Sequence, residues 1–183
     1  EAIKSPANAL GGRPKLAYVS PLPPERSGIA DYSSELLPEL AKHYDIEVVV
    51  AQEQVVDPWV ESNGPIRDFQ WLRCNAHRMD RVLYHFGNSP FHQHMLALAE
   101  DVPGTVVLHD FFLSSLLAHL EEHAIVPYAW ARALHNNHGY SAVQERFHSG
   151  DTTDVKMKFP VNLKVLQSAC GVIVHSEYSR QLA

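Results

Sequence analysis

The stretch KLAYVSPLPPERSGIADYSSELLPELAKHYDIEVVV, residues 15–50, constrains the chain most. It reads as a buried strand, a proline-rich loop closing on a single glycine, an amphipathic helix and a second buried strand. Residues 15–20 form a short apolar run bounded by proline, which suits a strand covered on both faces of a parallel sheet. Over 29–44, Ile29, Leu36, Leu37, Leu40, Ala41 and Tyr44 recur at helical spacing. Ser33, Ser34, Glu35, Glu39 and Lys42 are left for the solvent side. Residues 45–50 are the second strand.

The rest of the chain repeats the theme. Residues 51–65, with Asp57, Pro58, Asn63, Gly64 and Pro65, read as a loop, 66–71 as a short strand and 72–80 as a turn or one helical stretch. RVLYHF, 81–86, is a strand ending at Gly87 and Asn88. A helix over 89–100 has Ser89 as N-cap and Pro90 at its first position, where the missing N–H costs nothing. A strand at 105–108 delivers His109 and Asp110, and helix follows over 111–123. Residues 127–150 are helical in pattern, and a further helix covers 156–169 with Pro160 near its start. The last strand, 171–174, ends at His175 and Ser176, and a helix begins at Glu177. Strands alternating with helices predict an α/β doubly wound, mostly parallel sheet with helices on both faces and right-handed crossovers.

At 183 residues and 45% hydrophobic, the chain is sized for one domain. No apolar run reaches the roughly 18 residues a membrane span needs, and a charged-then-apolar leader to be cleaved after export is not expected from these residues. The expected domain is soluble. The 21 acidic against 15 basic residues, net charge −6, argue against sequence-independent nucleic-acid binding. Arg67, Arg73, Arg78 and Arg81 read as a solvated strip. Two cysteines far apart, Cys74 and Cys170, fit a reducing cytoplasm. Residues 1–14 read as a linker, and the domain as 15–183, with the parent chain expected to continue in both directions.

In a sheet of this kind ligands bind outside the carboxyl ends of the strands. The residues there are 20–28, His85 to Asn88, His109 with Asp110, and His175 with Ser176. The loop before the first helix offers backbone N–H groups and the positive end of the helix dipole to an anion, and Gly28 lets a ligand approach the backbone. A tight turn at Gly28 explains the glycine equally well. Neither G-x-G-x-x-G nor G-x-x-x-x-G-K-[ST] follows any strand, which weakens a dinucleotide or triphosphate reading.

SPLPPERSGIADYSSELLPELA, LYHFGNSPFHQHML, VVLHDFFL and VIVHSEYSR, in that order, resemble the N-terminal half of a GT-B glycosyltransferase of family 4, the retaining group 1 type. The resemblance runs from Lys15 onward and is weakest over 51–80 and 127–156. It implies a Rossmann-like domain that holds the acceptor, facing a separate C-terminal domain that holds most of a nucleotide-diphosphate sugar and carries the acidic E-x7-E motif. It places Arg26, Ser27 and Gly28 in the loop at the donor diphosphate. His109, supported by Asp110, becomes the residue near the reacting carbon. Asp31, His85 and Asn88 fall on the acceptor side, and His175, Ser176 and Glu177 at the interdomain cleft. The implied partners are the sugar donor and a glycan or lipid-linked acceptor. No cofactor or metal is implied, and a membrane-surface role at the inner face is compatible with it. The rival readings are a Rossmann-like binding module without chemistry and a nucleotide-dependent oxidoreductase or epimerase.

Other patterns compete with these. His119-Leu120-Glu121-Glu122-His123 fits the inverted zinc-protease spacing with both imidazoles on one helical face, but no third ligand is marked. His92 and His94 do not share a face, and His135 with His138 reads as a polar helix end or a pair. Tyr32, Tyr84 and Phe86 flank the strand ends and are favoured for the cleft.

Overall fold

The computed structural model describes residues 12–182. The expected linker therefore lies outside the described residues except for 12–14. Six strands run β1 Lys15–Val19, β2 Asp45–Val49, β3 Ile66–Arg67, β4 Arg81–Phe86, β5 Thr105–Leu108 and β6 Gly171–Val174. They form one sheet in the order β3-β2-β1-β4-β5-β6, and every neighbouring pair is parallel. That is the doubly wound order whose reversal, between β1 and β4, opens a crevice at the strand carboxyl ends.

The helices are α1 Gly28–Leu40, α2 Pro58–Asn63, α3 Phe69–Asn75, α4 Gln93–Asp101, α5 Ser114–Glu122, α6 Ala129–His138, α7 Tyr140–His148, α8 Thr153–Lys158, α9 Leu163–Ser168 and α10 Glu177–Leu182. Alternate strand residues point to opposite faces, and the core divides accordingly. Leu16, Tyr18, Ile46 and Val48 pack with Leu37 of α1 and Val60 of α2. Ala17, Val19, Tyr84, Phe86, Val106 and Leu108 pack with residues of α3 to α9, among them Leu72, Met95, Leu98, Trp130 and Val165. Both faces of the sheet are thus covered, which is why its strands are short apolar runs and not alternating ones. The outermost strand β6 is the exception, with Val172 and Ile173 exposed.

Several local expectations need correcting. Residues 51–65 hold a helix: Asp57 is extended and its carboxylate accepts from the N–H of Val60 at 2.8 Å, with Pro58 at the first helical position. The strand expected over 66–71 stops at Arg67, because Asp68 caps α3 by accepting from Trp71 N. Ser89 caps only a single 3₁₀ turn at Pro90–His92, without a side-chain bond to the backbone, and α4 begins at Gln93. The helix expected over 111–123 starts at Ser114. The helix expected over 156–169 is two, since Phe159 leaves the helical region ahead of Pro160. Ser33, expected on the solvent side, is fully buried. It accepts from the Tyr18 hydroxyl at 3.0 Å and lies 2.7 Å from Ser20 Oγ, which fastens α1 to β1.

Tyr84 and Phe86, favoured for the cleft, are wholly buried in the core. They occupy the face of β4 opposite His85, and the Tyr84 hydroxyl donates to Val102 O at 2.7 Å.

Candidate functional site

Three adjacent strands each carry a histidine at or just past the carboxyl end, and the sheet registers them. His85 of β4 pairs in register with Val107 of β5, and Val107 with Ile173 of β6. Two residues further along the same face lie His109 and His175. Nδ1 of His85 stands 3.0 Å from Nε2 of His109, and Nδ1 of His109 stands 3.2 Å from Nε2 of His175. The result is a row of three imidazoles running from the interior to the surface: His85 fully buried, His109 half-buried, His175 exposed.

Aromatic rings hold the row in place. Tyr18 lies under His85, with centroids 4.6 Å apart. Tyr32, from the second turn of α1, meets His85, His109 and His175 at 5.9, 5.0 and 5.8 Å. Burial pushes the His85 imidazole down to about 3, helped by the neighbouring His109, His175 and His92 rings. Burial likewise lowers His109 to about 4, with His175 and His92 adding to the effect and Asp110 opposing it. At neutral pH both rings are uncharged, as burial beside neighbouring imidazoles requires.

The end of β4 sits against the first turn of α1. Gly87, just after β4, makes that approach possible, since a Cβ there would collide with Ile29 and come within 2.9 Å of His92 Cε1. Asp110 accepts from Asn88 N at 2.8 Å, and Asn88 Oδ1 accepts from Leu116 N at 3.0 Å. These bonds tie the β4 and β5 ends to α5. His92 is buried too, with Nδ1 3.0 Å from Ser89 Oγ and Nε2 unpartnered.

The opening loop is less open than expected. Ser27 caps α1, its hydroxyl accepting from Ile29 N and its carbonyl from Ala30 N and Asp31 N. Much of the first turn's donor capacity is thereby met within the loop. Gly28 has no left-handed backbone conformation to explain it, and a Cβ there would meet nothing within 4 Å. The tight-turn explanation is removed, and what remains is open space over the helix terminus. Arg26 and Asp31 are exposed and join none of the row's hydrogen bonds. Ser176 Oγ accepts from Ser179 N at 3.0 Å and so starts α10, while Glu177 pairs with Arg180 within that helix.

Beside the row's end of the sheet, a groove of about 440 Å³ opens between Pro21, Gln52, Phe69, Phe91, Gln93 and His94. Gln52 reaches back from the end of β2, accepting from Leu22 N at 3.0 Å and donating to Leu22 O. His94 lies 5.8 Å from Phe69, its imidazole lowered to about 4 by burial and then by His92. A larger groove of about 540 Å³, between Arg13, Lys15, Lys42, Asp45 and Trp59, opens at the opposite end of the strands. It is remote from the strand carboxyl ends where such sheets bind ligands.

The zinc-protease pattern carries no metal geometry. His119 and His123 stack at 4.0 Å, His123 Nδ1 contacts the His119 carbonyl, and Glu122 faces Lys156 at 3.9 Å. Among the described residues, no group of three or more His, Cys, Asp or Glu side chains could hold a metal ion. His138, the other half of the second pair, is bonded through Nε2 to Pro160 O. Both cysteines are free, and no helix of the described residues is long and apolar enough to cross a membrane.

What sequence reading missed is the connection: the histidines were visible one by one, but not that β4, β5 and β6 are neighbours. Gly87 carried a signal in its place immediately after a strand end. Fold and site together define a Rossmann-like α/β domain with a row of histidines at its strand carboxyl ends. Comparison with protein-family models, with curated proteins and with solved structures finds no match to this chain.

Proposed function

We propose that this chain is the acceptor-side domain of a retaining glycosyltransferase of GT-B type, which transfers a sugar from a nucleotide-diphosphate donor to a saccharide or lipid-linked acceptor. The observation that carries the reading is positional. The motifs ending in Ser27-Gly28, Gly87-Asn88, His109-Asp110 and His175-Ser176 all follow the carboxyl ends of adjacent strands. Transfer builds positive charge on the anomeric carbon and negative charge on the departing diphosphate, so fixed dipoles and neutral donors lower the barrier. The α1 terminus supplies a dipole and the histidine row neutral hydrogen-bonding groups. On this reading a second domain delivers the donor, the reaction needs no metal, and the protein works in the cytoplasm or at the inner membrane face. The groove beside Phe69 and Phe91 has aromatic walls and the Gln93 amide, features suited to a saccharide acceptor.

The test is release of nucleoside diphosphate from a panel of nucleotide sugars by a protein that joins this domain to its donor-binding half. No release with any donor and acceptor pair ends the proposal. One observation favours a second reading: the strand order is also that of dinucleotide-binding domains. Against it stand the missing glycine fingerprint and the Gln52 side chain folded back onto Leu22 where a ribose-binding carboxylate belongs. Tight binding of NAD by the chain would reverse the choice.

A further inference from the structure

When each imidazole of the row carries one ring proton, two arrangements make both contacts hydrogen bonds. In the first, His85 donates from Nδ1 to Nε2 of His109, His109 donates from Nδ1 to Nε2 of His175, and His175 carries its own proton on Nδ1. In the second, every proton sits on Nε2, and His175 shows a bare Nδ1. The exposed end therefore reads out a choice made at the buried end.

That choice is not balanced. His85 is wholly buried and its Nε2 has no hydrogen-bond partner. The second arrangement orphans an N–H there, whereas the first leaves only an unused lone pair. Buried orphan donors are the rarer case in folded proteins, and leaving one unmet costs its desolvation. The charged and titratable groups packed around the row do not reverse this: Tyr18 from β1 and Tyr32 from α1 contribute ring faces and edges, and Asp110 is engaged with Asn88 N. His92 contributes a neutral ring bonded to Ser89.

We propose that the row locks His175 as the Nδ1–H tautomer, making it a fixed hydrogen-bond donor to an oxygen of the molecule bound in the crevice, with His109 and His85 as positioning residues behind it. Alone in water, a neutral histidine favours the proton on Nε2, so the row inverts the ordinary preference. The arrangement also forbids base chemistry. Accepting a proton at His175 requires a bare Nδ1, which is the disfavoured arrangement. Giving one up, with each proton behind it shifting one place outward, would leave His85 with no ring proton and nothing facing its Nε2 to supply one. The row orients a donor and passes no net proton. His109, occupied at both nitrogens, meets a ligand only if His175 swings away.

The inference rests on the crevice being a ligand site, as proposed above, but not on the ligand's being a nucleotide sugar. An acceptor oxygen of the right kind occurs on a diphosphate and on a sugar hydroxyl alike. The test is a long-range proton–nitrogen spectrum of the ¹⁵N-labelled chain at pH 7. Expected are pyrrole-type Nδ1 and pyridine-type Nε2 signals for His85, His109 and His175; a pyridine-type Nδ1 or an imidazolium at His175 overturns the proposal. In His109→Leu, checked for folding by circular dichroism, His175 is expected to return to a majority of Nε2–H. An unchanged His175 tautomer there removes the positioning role of His109, and if that variant does not fold the wild-type spectrum still decides. Titration with inorganic pyrophosphate and, separately, with methyl glucoside is expected to shift the His175 Nδ1 signal with one of them, which identifies the oxygen. No shift with either overturns the ligand-facing role. Failure of sugar transfer with the expected tautomers in place would end the transferase reading alone.

Discussion

Tyr32 sets its ring edge-on to His109, with centroids 5.0 Å apart and planes at 78°. A helix residue thus roofs a site otherwise built from strand ends. Burial is the first cause of the lowered His109 imidazole, so removing the roof should raise it. In Tyr32→Ala, His109 is expected to titrate closer to the ordinary histidine value of about 6.5, read by following its ring signals with pH. A titration unchanged from wild type would show that Tyr32 shields nothing.

The folded chain should lose stability in acid. His85 is held at about 3 in the folded state, while in the unfolded chain it titrates near 6.5. Between those values the unfolded state binds more protons, so stability is full above about 6.5 and falls as pH drops toward 3. At pH 5 the loss from His85 alone is about 2 kcal/mol. His109, half in contact with solvent, adds less. Urea midpoints compared at pH 7.5 and pH 5 measure this, and His85→Leu should flatten the difference.

Gly87→Ala tests the closeness of β4 to α1. The added methyl meets Ile29 and His92 in a packed site, and overpacking of this kind costs about 1–3 kcal/mol. Thermal unfolding should show a lowered midpoint. The row's ¹⁵N signals should move as well, because Ile29 and Tyr32 share α1.

The bond from Tyr18 to Ser33 is buried from end to end. Ser33→Ala leaves the Tyr18 hydroxyl without its acceptor, at a cost of about 1–3 kcal/mol. Removing both polar groups, in Tyr18→Phe with Ser33→Ala, should recover part of that loss. A double variant less stable than the sum of the two single changes would contradict the pairing.

His109→Ala, in a protein that carries both halves of the proposed transferase, should cut turnover strongly while circular dichroism still shows the folded chain. It removes the backing of His175 and opens a void beside Tyr32. Near-normal turnover would take His109 out of the site.

The sheet was legible in the sequence because a strand buried on both faces must be an apolar run, and residues 15–19, 45–49, 81–86 and 105–108 are such runs; 171–174 is an apolar run at the exposed edge. The α2 and α3 starts carried their own marks, Asp57-Pro58 and Asp68, obscured by a stretch rich in loop-forming residues. Ser33 could not be read from composition, since only the Tyr18 hydroxyl on another element makes its burial favourable. The candidate site was legible as a set of positions and illegible as a device. A histidine at a strand end looks the same whether its neighbour strand ends in histidine or not, and strand order is a property of the whole chain.

That order has a temporal consequence. Leu16 pairs with Arg81 across the middle of the sheet, and Thr105 with Gly171 toward its edge. In each case a long stretch of chain must be closed into a loop before the first strand contact rewards it. Chains dominated by such distant pairings fold in milliseconds to seconds, and helical ones of low contact order in microseconds to milliseconds. The histidine row needs β4, β5 and β6 side by side, so it belongs to the last structure to form. Recovery of the row's folded-state ¹⁵N signals after dilution from urea would date the end of folding.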